Sequence, residues 1–211
     1  MTTFKQVFAG VLGAATLAVA AAGPASAATI DTGHVDVLHV GVSGSALTLD
    51  IHDESGPVEF PAPATTTLGV KRAAWRTITL DGRSVSAAVL PETQDPNLLF
   101  PGLSADDLVP APFAVDDEIT YTLTRASVPS GARVVVASSS DTFFDTGTSD
   151  FEKVAALEQP DEPGEESFHS HGAWTFTRAG SYDLTFVATA PLFSGYDDSN
   201  ALTLHFEVAA P

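Results

Sequence analysis

Apolar and polar residues alternate with a period of two in run after run of this chain, and that restricts it to strands. Leu47, Leu49 and Ile51 alternate with Thr48, Asp50 and His52, and Ile119, Tyr121 and Leu123 with Thr120, Thr122 and Thr124. Tyr182, Leu184 and Phe186 alternate with Ser181, Asp183 and Thr185, and Leu202, Leu204, Phe206 and Val208 with Thr203, His205 and Glu207. Successive side chains of an extended backbone point to opposite faces, so each run offers one apolar face to a core and one polar face to water. Ala74 to Leu80, Ser84 to Leu90 and Arg133 to Ala137 add further strands. Asp81-Gly82 is a two-residue hairpin signal, and Gly41 to Ser45 can close another hairpin. Only Ser104 to Leu108 and Ser149 to Leu157 resemble helix. Short strands with frequent turns predict an all-β fold: a single-domain antiparallel β-sandwich with Greek-key-like connections.

The first 27 residues have a different character. Lys5 precedes the apolar stretch Val7 to Ala22, and Ala25-Ser26-Ala27 fits the small-x-small rule for signal cleavage. The expected division is a signal peptide over 1–27 and the β-sandwich over 28–211. The expected location is extracytoplasmic, either secreted or associated with the cell surface. No segment after residue 27 is apolar for the length needed to span a bilayer, so the processed chain is not expected to be membrane-spanning. The chain has no cysteine, which excludes disulfides, thiolate metal sites and cysteine nucleophiles. Its net charge of −18 disfavours nucleic acid and anionic membrane surfaces and favours cations and basic partners. The same charge also serves plain solubility.

Two pairs of residues carry chemistry at strand spacing. In Gly33-His34-Val35-Asp36-Val37, the valines are expected to face the core, and His34 and Asp36 then share the opposite face. In Phe168-His169-Ser170-His171-Gly172-Ala173-Trp174, His169 and His171 stand two apart, so both imidazoles can approach one point. Upstream lies an acidic run, Glu158, Asp161, Glu162, Glu165 and Glu166, that attracts cations. Three imidazoles with a carboxylate or a water suit tetrahedral zinc or a similar divalent transition metal. Such a site should weaken as protons compete below roughly pH 6.5. The alternative is a polar strand entry whose histidines face water. His39, His52 and His205 are expected to be surface or structural residues.

Enzyme signatures are poor. The chain has no G-x-S-x-G elbow, H-E-x-x-H, P-loop or dinucleotide fingerprint, and a non-enzymatic protein is expected. Asp106-Asp107 and Asp116-Asp117-Glu118 lack the ligand spacing of an EF-hand loop and read as surface acid. Asp141 to Gly147 contains a single D-T-G and has no second half to make a protease dyad.

Three motifs occur in order: Gly33-His34-Val35-Asp36-Val37, Val89-Leu90-Pro91-Glu92-Thr93-Gln94, and His169-Ser170-His171-Gly172-Ala173-Trp174-Thr175-Phe176 before Gly180-Ser181-Tyr182. Together they resemble the actinobacterial surface-anchored protein domain, found in choice-of-anchor M proteins and in ABC transporter-associated repeat proteins. The resemblance runs roughly from Thr29 to Val208. It implies a cell-envelope β-domain connected with metal ABC importers, with His34, Asp36, His169, His171 and Trp174 as the motif residues. The partners it implies are a metal ion and ABC importer components or other cell-envelope proteins. The expected function is a secreted, metal-binding envelope domain supporting metal import. The rival is an adhesion or scaffold module in which the histidines only brace strands, and haem stands as another cargo to test.

Overall fold

The computed structural model describes residues 28–53, 60–62, 65–105, 108–109, 111–160 and 166–211. The expected signal peptide, Asp106-Asp107, and Asp161, Glu162 and Glu165 of the acidic run lie outside the described residues. In chain order the strands are β1 (Thr29–Ile30), β2 (Gly33–Ser43), β3 (Ala46–Asp53), β4 (Phe60–Ala62), β5 (Thr67–Val70), β6 (Trp75–Leu80), β7 (Arg83–Leu90) and β8 (Leu99–Ala105). They continue as β9 (Glu118–Ser127), β10 (Val134–Ala137), β11 (Thr142–Asp145), β12 (Glu152–Ala156), β13 (Phe168–His171), β14 (Ala173–Phe176), β15 (Gly180–Thr189) and β16 (Leu202–Val208).

The protein is all-β, as its alternation predicts, and the strands form three sheets. The orders are β1-β5-β16-β15-β9-β12, β11-β10-β14-β7-β6 and β13-β8-β2-β3-β4. Most pairs are antiparallel; β1 with β5, β5 with β16, and β2 with β8 are parallel. Parallel neighbours cannot be joined by a tight turn, and long excursions through the other sheets separate each of the last two pairs. The apolar faces of the alternating runs meet in one cluster, in which Trp174, Phe176, Tyr182 and Phe206 are fully buried. Tyr182 anchors its strand by donating its hydroxyl to the Arg178 carbonyl at 2.6 Å. Asp81-Gly82 forms the expected hairpin: both residues have positive φ, 51° and 73°, and Leu80 pairs with Arg83.

Two expectations of helix are overturned. Most of Ser149 to Leu157 is β12, paired antiparallel with β9. Ala155 and Leu157 are both buried at a spacing of two, so packing against the sheet overrides the helical propensity of Glu, Lys and Ala. Ser104 and Ala105 end β8 as strand residues, and both are fully buried.

One irregularity decides what faces what. On β2, Asp36 pairs with His52 and His39 with Asp50, so two residues of β2 oppose one of β3. The same extra residue shifts the pairing with β8 between Asp36 and Leu38. This is a β-bulge at Val37-Leu38. Val35 and Val37 face the core before it, and Leu38 and Val40 after it. The outer face accordingly carries His34 and Asp36, then His39.

Candidate metal centre

His34 and Asp36 come from β2, His169 and His171 from β13, and β8 runs between them. Across this trio His34 pairs with Phe100, Asp36 with Gly102, and Gly102 with His171. Residues paired laterally lie on one face, so two separate i, i+2 pairs converge over the centre of β8. The four residues each offer a donor atom, and these atoms lie within 4.8 Å of one another. The structure therefore brings the four residues together.

The spacing suits a metal ion. Asp36 Oδ1 lies 3.3 Å from His34 Nε2 and 3.3 Å from His169 Nε2. The two Nε2 atoms are 3.2 Å apart. Donors about 2.0–2.1 Å from tetrahedral zinc are about 3.3 Å from each other. Three of the donors thus already stand at the spacing of the corners of a zinc tetrahedron.

The outer contacts point each ring inwards. His169 Nδ1 is 2.5 Å from Glu166 Oε2, which leaves Nε2 facing Asp36. His171 Nδ1 bonds the Pro101 carbonyl at 3.2 Å, which leaves its Nε2 lone pair for the cluster. The His171 ring also stacks on Phe100 with centroids 3.7 Å apart and planes 8° from parallel. Carboxylate and carbonyl partners of this kind fix the tautomer and orientation of metal-binding histidines.

Asp36 is fully buried, and neither of its oxygens has a hydrogen-bond donor in good geometry. The two imidazole contacts at 3.3 Å are charge interactions more than aligned hydrogen bonds. A buried carboxylate that lacks directed donors needs a cation. Burial opposes its ionisation, yet His169 and His34 beside it hold its pKa well below the carboxylate range. Burial also disfavours a charged His169, but Asp36 and Glu166 outweigh it and push the pKa up to about 10. Burial lowers His171 to about 4, helped by the neighbouring His169 and His34. Without an ion, then, the proton on His169 supplies the positive charge and His171 stays neutral.

Sequence reasoning missed Gly102. A Cβ there would stand 2.0 Å from Asp36 Oδ1 and 2.9 Å from His171 Cε1, so the cluster exists only because position 102 has no side chain. A glycine in a strand interior is the available signal, since it marks close approach of other groups. Glu166, treated in the sequence as one of an acidic run, has a specific role as the partner of His169.

The other singled-out residues lie elsewhere. Trp174 is on β14 in the neighbouring sheet, fully buried against Phe206. The chain changes sheets at Gly172, where a Cβ would come 3.0 Å from the Phe143 ring. His205 pairs with Asp183 at 2.7 Å on an exposed face, as expected. Asp145 of the D-T-G segment is held by Arg133 and by the Gly147 amide, which makes it a structural carboxylate. Asp117 caps a surface turn by accepting from the Ala114 amide. Among the described residues, no helix is long and apolar enough to cross a membrane.

Fold and site together define an all-β protein carrying a three-histidine, one-carboxylate cluster that could hold a metal ion. Comparison with protein-family models, with curated proteins and with solved structures finds no match.

Proposed function

We propose that this is a secreted, non-enzymatic cell-envelope domain that binds zinc, or a similar divalent transition metal, in support of metal import by an ABC transporter. The observation that carries the metal reading is the buried, donor-poor Asp36 carboxylate at tetrahedral spacing from His34 and His169, with His171 in the same cluster. Four protein donors would close the coordination shell. Closed shells belong to structural or carrier zinc, whereas catalytic zinc keeps a position for water. The convergence of His34, Asp36, His169 and His171 also agrees with the resemblance to the surface-anchored domain, of which these are motif residues. That resemblance alone supports the envelope and importer parts of the proposal.

A specific observation favours the rival reading of a scaffold or adhesion module. A protonated His169 between Asp36 and Glu166 already neutralises the buried charge, so the cluster can brace β2 against β13 without an ion. Zinc titration separates the two readings. With free zinc about 100-fold above Kd, binding to the native state contributes about 2.7 kcal/mol. For a chain of this size that raises Tm by about 5–10 °C. His34→Ala, His169→Ala and His171→Ala should each remove most of this shift, and His205→Ala should leave it intact. Protein purified from its native compartment without a histidine tag should carry about one zinc per chain. No metal after such purification, together with no zinc-dependent shift, selects the scaffold.

A further inference from the structure

The loop after β15 breaks two rules at one place. Leu192 is 87% exposed and Phe193 wholly so, and they are the most exposed large apolar side chains among the described residues. They are also the two central residues of a tight turn, closed by the Ser194 amide donating to the Pro191 carbonyl at 3.1 Å. Phe193 stands there at φ 63°, in the left-handed region, at the turn position that favours glycine or asparagine. A bulky residue in that region is strained, and such strain gathers at functional sites. Folding rewards neither the exposure of Phe193 nor its conformation. The loop is nonetheless firmly seated. The Asp198 carboxylate accepts from the Ala190 amide at 3.1 Å, and Ser199 exchanges two bonds with Ala188. The Asp197 amide donates to the Ser45 carbonyl, and the Asp197 carbonyl accepts from the Leu47 amide, which ties the loop to the turn between β2 and β3. The Tyr196 ring packs edge-on against the buried Phe113, with centroids 5.2 Å apart. The tip is thus held ready, which lowers the entropy lost on binding.

We infer that Leu192 and Phe193 are the anchor by which this protein docks on another protein, in an apolar socket ringed by lysine or arginine. Acid lies beside the anchor. Asp197 and Asp198 follow it in the loop, and both are exposed. Thr120 pairs with Thr189, so the segment leading into β9 and the loop leaving β15 lie at the same end of the sheet. The Phe113–Tyr196 contact joins the two, and it brings Asp116, Asp117 and Glu118 to that end. Charge complementarity then selects the partner, because an apolar socket with a basic rim matches an apolar tip beside acid. A second copy of this chain, also at −18, and an anionic bilayer are both repelled. The surface uses no residue of the metal cluster, so it stands or falls apart from zinc binding.

Cross-linking in the cells that make the protein tests this. A photoreactive phenylalanine analogue at position 193 of the whole chain should capture a partner protein, identified by mass spectrometry, and the same analogue at exposed Thr79 on β6 should not. The captured protein, once purified, should bind wild type in calorimetry. Leu192→Ser with Phe193→Ser should weaken that binding about tenfold or more, as the loss of a buried anchor does. Asp116→Asn with Asp197→Asn should weaken it less and flatten its dependence on salt. Phe193→Gly should weaken it too while leaving Tm equal to or above that of wild type, since glycine relieves the strained φ, and this variant separates lost docking from lost folding. Four results overturn the inference: no capture above the Thr79 control, a partner whose affinity ignores the tip substitutions or salt, capture of a second copy of this chain, or tip-dependent pelleting with phosphatidylcholine or phosphatidylglycerol vesicles in place of a protein.

Discussion

At the scale of single residues, the proton on His169 sets how the His34, Asp36, His169 and His171 cluster responds to pH. Its pKa is raised from an ordinary 6.5 to about 10, so the stability it contributes is complete below 6.5 and is lost as pH rises through about 10. Asp36 is shifted down, so its contribution holds above the ordinary 3.8 and fades as pH falls below it. The metal-free protein keeps this ion pair throughout the neutral range. Zinc must therefore displace a proton from His169 at neutral pH, and competition extends far above the pH 6.5 that an unperturbed histidine implies. Calorimetry at pH 7.5 in buffers of different ionisation enthalpy should show about one proton released per zinc. Affinity should climb about tenfold per pH unit between 7 and 9, as one-proton linkage requires. An affinity flat across that range contradicts a protonated His169. Residue types and their i, i+2 spacing were legible in the sequence because side-chain direction in a strand is local. The identity of the second partner of His169 was not, because Glu166 is one acid among several until the chain folds.

At the scale of elements, strands were legible and their neighbours were not. Period-two runs located β3, β9, β15 and β16, since the pattern is written in each run separately. Nothing local says that β8 separates β2 from β13, or that β2 pairs with β8 in parallel. Pairing is decided by the whole core. The misreading of β12 as helix has the same origin, because its edge position beside β9 supplies the burial that its composition does not announce. The bulge on β2 was hidden too, as a run of Val, Asp, Val and Leu is compatible with either phase. Gly102 is where element geometry can be tested directly. Gly102→Ala should weaken zinc binding about 10–100-fold, the range seen when the surroundings of metal ligands are disturbed. Overpacking against Asp36 should also destabilise the fold by about 1–3 kcal/mol. Zinc titration and denaturant unfolding of this variant measure both, and a variant that binds zinc as tightly as wild type rules out the crowding described at that position.

At the scale of the whole molecule, the proposed processing and the fold meet at one peptide bond. Thr29–Ile30 is the edge strand of the largest sheet, and the Ala28 carbonyl accepts from the Thr67 amide at 2.8 Å. Cleavage after Ala27 keeps every one of these contacts, whereas cleavage a few residues later strips β1. Mass spectrometry of exported protein should find an N-terminus at Ala28; retention of residues 1–27 on the mature protein refutes secretion by signal cleavage. The histidine–aspartate cluster has its own large-scale consequence. It ties together positions 135 residues apart in the chain, on two strands that are not paired with each other. A covalent cross-link would restrict the unfolded ensemble, whereas a bound ion would stabilise only the native state, by mass action. With zinc bound as proposed, a chain without sulfur bridges would have a clasp of its own, indifferent to reducing agents and opened by a chelator.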